Sequence, residues 1–241
     1  MSSARLIALT LLCVVIIGGS ALAEEITLTT HDLCPYGCYD ADGNFDGHAV
    51  RVVRYALEQM EFSLNLVVVP WKRAQDMVQF GEADGFFAGS QNADRDKNGV
   101  MSAIIAEQKW NWYLLKSNPL DPRSPDFKEK AKVTSFIGAN MLKWLKENDY
   151  NVVPSPTTTN CLAQMLVVQR FDAMLANNMV MNAIIHSQGM QNKFKSYTLK
   201  DKPLGVYFSN RFVADHPDFV EEFNRHVRKY RKNNPYQQSL P

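Results

Sequence analysis

Cysteine is scarce in this chain, and neither sign of charge is in excess: 241 residues carry 4 Cys and Lys+Arg 26 against Asp+Glu 25, a formal net charge of +1. So few cysteines exclude a disulfide-dense miniprotein. The missing basic excess argues against nucleic acid as a partner, because its binders carry a basic patch. Charged residues make up only 21%, while aromatics reach 11% and hydrophobics 46%. That balance excludes a disordered chain, collagen and a coiled coil. No low-complexity segment, phosphate loop, Ser-His-Asp arrangement or zinc motif is present. The length leaves room for one large domain or two lobes, each with a real core.

The N-terminus is the one place with a long apolar run. Arg5 precedes a stretch from Leu6 to Ile17, followed by Gly18, Gly19, Ser20 and Ala21-Leu22-Ala23. This reads as a secretory signal peptide over residues 1–23 with an Ala-x-Ala cleavage site; an uncleaved anchor is the alternative. Thr10-Leu11-Leu12 before Cys13 lacks the small residue of a lipoprotein signal. No other stretch approaches the roughly 18 continuous apolar residues of a membrane span. The mature chain is therefore expected to be soluble and exported to the periplasm. Export places Cys34, Cys38 and Cys161 in an oxidising compartment. Pro35 and Gly37 allow a tight turn, so a Cys34–Cys38 disulfide is expected, with Cys161 unpaired. The alternative is a metal site, since His31 and His48 flank the pair, but that spacing fits no standard zinc pattern.

Periodicity places the elements. Ile26 to Thr30 alternates as a strand, and His48 to Met60 carries apolar residues at helical spacing. Leu64 to Val68 is a second strand; Pro70 opens a helix from Trp71 to Phe80, and Gly85 to Gly89 is a buried strand. Strand, helix, strand, helix, strand is a parallel α/β unit. A loop is expected around Asp94 to Asn98, then a strand from Asn111 to Lys116 and a Pro-rich loop from Pro119 to Pro125. A second unit follows: strand Val133 to Ile137, helix Met141 to Glu147, a short strand at Val152 and Val153, helix Cys161 to Gln169, strand Ala173 to Ala176. Two such units suggest two lobes. A last helix is expected to be capped by Asp215, with Phe219, Phe223, Val227 and Tyr230 on one face.

Four local patterns occur in order. They are Pro35-Tyr36 with Asp40-Ala41-Asp42-Gly43 and Gly47; Val69-Pro70-Trp71 with Gly81-Glu82-Ala83-Asp84; Gly89-Ser90 with Arg95; and Gln169-Arg170-Phe171-Asp172-Ala173. Together they resemble the family 3 periplasmic solute-binding proteins, the polar amino acid receptors of ABC transporters, over nearly the whole mature chain. The resemblance implies an α/β, two-lobe periplasmic binding protein fold of type II. Each lobe would be a mostly parallel sheet flanked by helices, and a two-strand hinge near Ala106–Lys109 and Lys202–Val206 would join them. Residues 24–107 and 206–241 would form lobe 1, and 108–205 lobe 2.

The resemblance also implies a ligand set. Arg95 is placed like the guanidinium that grips a ligand carboxylate, Ser90 like the hydroxyl beside it, and Tyr36 and Trp71 like side chains that pack on the ligand body. Gly138-Ala139-Asn140 opens a helix suited to an anion, which makes Asn140 a contact. Asn177 stands where amino acid receptors usually carry an Asp for the α-ammonium. That Asn is neutral, Ala139 and Asn140 replace common hydroxyl residues, and His48-Ala49-Val50-Arg51 lacks the family's acidic first-helix residues, so the ligand's identity stays open.

Plainer readings stand beside these. Arg95 could be a solvated loop residue, Trp71 ordinary core, and Arg73 either a second cleft cation or a surface charge. Asp172 reads as structural, Trp110 and Trp112 as packing between lobes. Arg225, Arg228, Lys229, Arg231 and Lys232 read as a solvated helix face, with anionic lipid the sharper reading.

Hinge closure on a small polar solute, an amino acid or related carboxylate, is the leading function. The partner would be an inner-membrane ABC permease or a sensor domain, and the protein a monomer without cofactor or metal. The alternative is a periplasmic lyase of the cyclohexadienyl dehydratase type. Such an enzyme needs a cleft carboxylate, and the nearest candidate is Asp32.

Overall fold

The computed structural model describes residues 23–236. The expected leader, through residue 22, lies outside them. Strand β1 (Glu24–Thr30) buries Ile26 and Leu28 by alternation. A disulfide joins Cys34 to Cys38, so these thiols are not available to a metal, and Cys161 is free and exposed. The short strands β2 (Cys38–Tyr39) and β3 (Phe45–Asp46) pair antiparallel and lead into α1 (His48–Glu58). The apolar face of α1, from Ala49 to Leu57, is fully buried. Strand β4 (Phe62–Val68) follows, Pro70 then stands at the N-cap of α2 (Trp71–Gln79), and β5 (Gly85–Ser90) is buried along its whole length. Strands β4 and β5 both run parallel to β1, as the strand-helix-strand pattern requires.

Helix α3 (Ala93–Asn98) replaces the loop expected around Asp94 to Asn98. Its alternating charges give no apolar period, and its start is fixed by Asn92, whose side chain accepts the Arg95 N–H at 2.8 Å. After β6 (Gly99–Met101) the chain crosses into a second sheet through β7 (Lys109–Leu115), α4 (Phe127–Lys130) and β8 (Val133–Thr134). Strand β8 is shorter than the expected Val133 to Ile137 because the chain turns away toward Gly138. Then come α5 (Asn140–Glu147), α6 (Thr159–Val167), β9 (Ala173–Asn177), α7 (Asn178–Ser187) and β10 (Phe194–Asp201). The last two were not read from the pattern: α7 has an apolar stretch without clear sidedness, and β10 intersperses Lys195, Ser196, Thr198 and Lys200 among its apolar residues.

The chain returns through β11 (Leu204–Ser209), α8 (Asn210–Asp215) and α9 (Phe219–Asn233). Asp215 therefore ends a helix and does not cap one. Ser209 caps α8 by accepting the Phe212 N–H at 3.1 Å, and Pro217 lies between the two helices.

One sheet has the order β4-β1-β5-β11-β6 and the other β10-β7-β9-β8. These are the two lobes. Both sheets are mixed: β11 runs antiparallel to β5 and β6, and β7 antiparallel to β10 and β9. The strands that enter through the crossovers run against their neighbours, which is the departure from mostly parallel sheets. The crossovers touch where Leu204 N–H donates to Ala106 O at 2.8 Å and Lys202 N–H to Gln108 O at 3.0 Å. Asp172 behaves structurally, accepting the Lys132 N–H at 2.8 Å. Trp112 packs inside the second lobe, 5.2 Å from Phe127 by ring centroids, while Trp110 faces the space between the lobes. On the basic face of α9, Arg225 pairs with Glu222 at 2.7 Å and Arg228, Lys229 and Lys232 are exposed, whereas Arg231 is half-buried. Among the described residues no helix is long and apolar enough to cross a membrane.

Helix α9 returns to the first lobe to complete its core, where Phe223 is fully buried, 5.1 Å from Phe208. Truncating so enclosed a ring removes its transfer free energy and leaves a cavity. Phe223→Ala should lower the unfolding free energy by about 3–5 kcal/mol in urea titrations. A loss below about 1 kcal/mol would contradict the docking of α9 described here.

Candidate functional site

The ends of β1 and β5 and the start of α2 meet the second lobe across a narrow cleft. From the first lobe come His31, Trp71, Ser90 and Arg95; from the second and the crossover come Gln108, Trp110, Phe136, Asn140 and Asn177. They enclose a cavity of about 30 Å³ that no Asp or Glu lines.

Arg95 is the central charge. It is only 8% exposed and makes no ion pair among the described residues. Its Nη1 donates to Ser90 O at 2.6 Å, and Nε and Nη2 donate to Gln75 Oε1 at 3.3 and 2.9 Å. The guanidinium lies 5.1 Å from the Trp71 ring centroid and 5.5 Å from that of Phe86. Burial pushes its pKa down to about 10, with Tyr207 and Asp96 opposing, so it stays charged at neutral pH. The solvated-loop reading of Arg95 is therefore wrong. The fork expected to grip a ligand carboxylate is turned to a neutral amide oxygen.

Asn140 closes the cleft directly. Its amide nitrogen donates to Ser90 O and Oγ, both at 2.8 Å, and its oxygen accepts from Asn92. Lys143 pairs with Asp94 across the same gap, and Lys202 Nζ donates to Gln91 O at 3.0 Å. Gly138 makes the approach possible. At φ +81° it holds a left-handed conformation, and a Cβ there would meet Trp71 Cδ1 and Gln75 Nε2 at 3.2 Å.

Asn177, 2% exposed, is occupied as a helix cap. Its Oδ1 accepts from Met179 N–H at 2.9 Å and Val180 N–H at 3.2 Å, the Tyr36 hydroxyl oxygen lies 3.3 Å away, and its amide donates to Gln108. Tyr36 is not part of this cavity. Its ring lies in the first-lobe core, and its hydroxyl donates to Glu107 O at 2.6 Å. Burial raises its pKa. It lines a separate cavity of about 120 Å³ with His48 and Arg231. Arg73 is also apart: half exposed, it pairs with Glu82 at 2.5 Å. Of the residues expected at the site, Trp71, Ser90, Arg95, Asn140 and Asn177 come together; Tyr36 and Arg73 do not join them. Asp32 is exposed and outside the cavity, its pKa raised by partial burial.

A larger cavity of about 490 Å³ lies on the other side of Arg95, lined by Gln75, Phe86, Lys143 and Tyr207 among others. It shares Arg95, Ala139 and Asn140 with the smaller one, so these three residues form the partition.

Sequence reasoning considered His31 only as a metal ligand. It is 8% exposed, its ring 4.4 Å from that of Trp71, and neither ring nitrogen has a hydrogen-bond partner. Its only sequence signal is its place immediately after β1.

The chain matches the family model of bacterial extracellular solute-binding proteins, family 3, over residues 26–240. Among solved structures, a histidine-bound ABC uptake transporter substrate-binding protein from Streptococcus pneumoniae shares 16% identity at TM-score 0.75, covering 87% of this chain and 88% of that one. The glutamate-bound GluR0 ligand-binding core from Nostoc punctiforme shares 16% at TM-score 0.73, over 88% and 95%. A histidine kinase sensor domain shares 16% at TM-score 0.76, over 89% and 93%. Such identities establish a common fold. No curated protein matches the chain.

Burial, and secondarily the positive Arg95, pushes the His31 pKa from 6.5 down to about 3. The folded chain thus keeps this imidazole neutral where the unfolded chain protonates it. The unfolded state binds more protons between pH 6.5 and 3, so stability is full above that window and falls as pH drops through it. At pH 4.5 the linkage is about 2–3 kcal/mol. His31→Phe should therefore lose about that much less stability than wild type between pH 7 and 4.5 in paired urea titrations. Parallel pH profiles for the two proteins would refute the buried neutral imidazole.

Proposed function

The chain belongs to the family 3 bacterial extracellular solute-binding proteins, and on that premise we propose that it captures a small polar solute, an amino acid or related carboxylate, by closing two lobes over it. The observation that carries the reading is Arg95, a buried cation at the meeting of the lobes that makes no ion pair among the described residues and is held by neutral acceptors, with Asp96 acting only at longer range. Keeping such a charge away from water is costly unless it answers an anion. Residues 24–107 with 204–241 would move as one lobe and 108–203 as the other, about the crossovers at Ala106 and Leu204, since the boundary expected at 206 would split β11, whose Leu204 and Gly205 pair with β5. Opening would part Asn140 from Ser90 and join the two cavities, giving solute a way in. The protein would act as a periplasmic monomer after removal of its leader, delivering solute to an ABC permease or a sensor domain.

A lyase would need a carboxylate at the bound solute; no Asp or Glu lines the inner cavity, whereas Asp76, Asp94 and Glu147 line the larger cavity beyond Arg95.

A thermal-shift screen of amino acids, small carboxylates, amines and oligopeptides should find a ligand, because binding the folded state alone raises the melting temperature. Small-angle scattering should then show compaction at saturation. Arg95→Ala should weaken binding by about 2–5 kcal/mol, roughly thirty-fold to several thousand-fold by calorimetry. Arg95→Lys should recover part of that loss. Near wild-type affinity in Arg95→Ala, or no response to any solute class, would overturn the reading.

A further inference from the structure

Two polar side chains that line the inner cavity have unanswered hydrogen-bonding groups. Ser90, Arg95, Gln108, Asn140 and Asn177 all bond within the protein. His31 and Trp110 do not: both His31 nitrogens and Trp110 Nε1 are buried without a partner, in residues 8% and 2% exposed. Buried polar groups left unpaired each cost on the order of 1–3 kcal/mol, so two such residues lining one cavity point to a ligand that pairs them.

Their chemistry is specific. A neutral imidazole offers one N–H donor and one bare nitrogen acceptor, and an indole offers one donor. A hydroxyl is the matching group, because it donates and accepts at the same atom. An ammonium only donates. It would face two N–H donors, the positive Arg95, and no carboxylate, and Asn177 Oδ1 already accepts two backbone N–H bonds. An ammonium desolvated there would lack a counter-charge.

We propose that this cleft selects small hydroxycarboxylates over the corresponding amino acids, with Arg95 balancing the carboxylate charge and His31 and Trp110 reading the hydroxyl. This rests on the solute-binding reading above and narrows it. The compact cavity limits the ligand to a few carbons, and Phe136 and Trp71 supply its apolar walls.

Lactate, alanine and propionate share a three-carbon skeleton and differ in hydroxyl, ammonium and hydrogen at the second carbon. Calorimetry on the full mature chain should rank lactate at least about ten-fold above propionate and alanine below both, since a site built to bond a hydroxyl rejects analogues without one. Trp110→Phe keeps the ring and removes the N–H; His31→Phe keeps an aromatic ring against Trp71. Each should lower the lactate-to-propionate ratio toward one while leaving propionate affinity within about three-fold. A merely structural role would weaken both acids equally. Alanine binding as tightly as lactate would overturn the hydroxyl assignment and leave solute capture standing. So would a solute from another class binding while none of these three does. Failure of the entire solute panel would remove both readings together.

Discussion

Everything at the centre of this molecule depends on how one guanidinium is kept charged away from water. Arg95 is 8% exposed and has no carboxylate partner, a state that isolated burial would not sustain. Three kinds of compensation surround it. Trp71 and Phe86 present ring faces at 5.1 and 5.5 Å, Ser90 O accepts at 2.6 Å, and Gln75 Oε1 accepts two N–H bonds. Each is weaker than an ion pair, and together they leave the net charge in place. A cation held by neutral acceptors can be shared with an anion that arrives later; a cation already paired with an Asp cannot.

The same requirement shapes the elements around it. Trp71 must open α2 to lie under the guanidinium, which explains a Pro at the N-cap directly before a bulky ring. Ser90 must end β5 with its carbonyl free to bend toward Arg95, and Asn92 fixes the first turn of α3 so that Arg95 points inward. The second lobe then contributes Gly138, whose missing Cβ lets the loop before α5 lie against Trp71. The apolar cluster that contains Trp71, Phe86 and Tyr207 also contains Trp110, Phe136 and Ala139, so the two lobes share packed side chains at this point.

Much of this was legible in the sequence. The alternating strands expected at Ile26–Thr30 and Leu64–Val68 and the helix after Pro70 follow from local patterns that the fold does not override, and the family resemblance points to Ser90 and Arg95, which the fold brings into contact. What failed was local pattern where tertiary contact decides. Helix α3 carries no apolar period because its one inward residue is a charged one, and Tyr36 looked like a cleft aromatic although its hydroxyl is claimed by Glu107 O on the crossover. Asn177 reads in sequence as a weakened ammonium partner. In the fold it is a helix cap whose oxygen is fully used. His31 reads in sequence only as a metal ligand, because nothing in a sequence reports that a side chain is buried and unpaired.

The direct bonds between the lobes set a further constraint on any ligand. Asn140 to Ser90, Asn92 to Asn140, Lys143 to Asp94 and Lys202 to Gln91 hold the lobes together through protein atoms alone. Contacts of this kind stabilise the closed form whether or not solute is present. A ligand shifts the equilibrium only by its difference in affinity for the two forms. Groups engaged only on closure are what generate that difference. Under the proposed closure, Trp110 and Phe136 on the second lobe would reach the cavity only when it closes against His31 and Trp71, so their contribution would fall wholly on the closed side. Arg95, a first-lobe residue, would attract an anion in either form. Capture by the cation and commitment by the second-lobe wall would then be separate steps carried by separate residues, and neutral Asn140 would bridge the lobes without competing with Arg95 for the solute's charge.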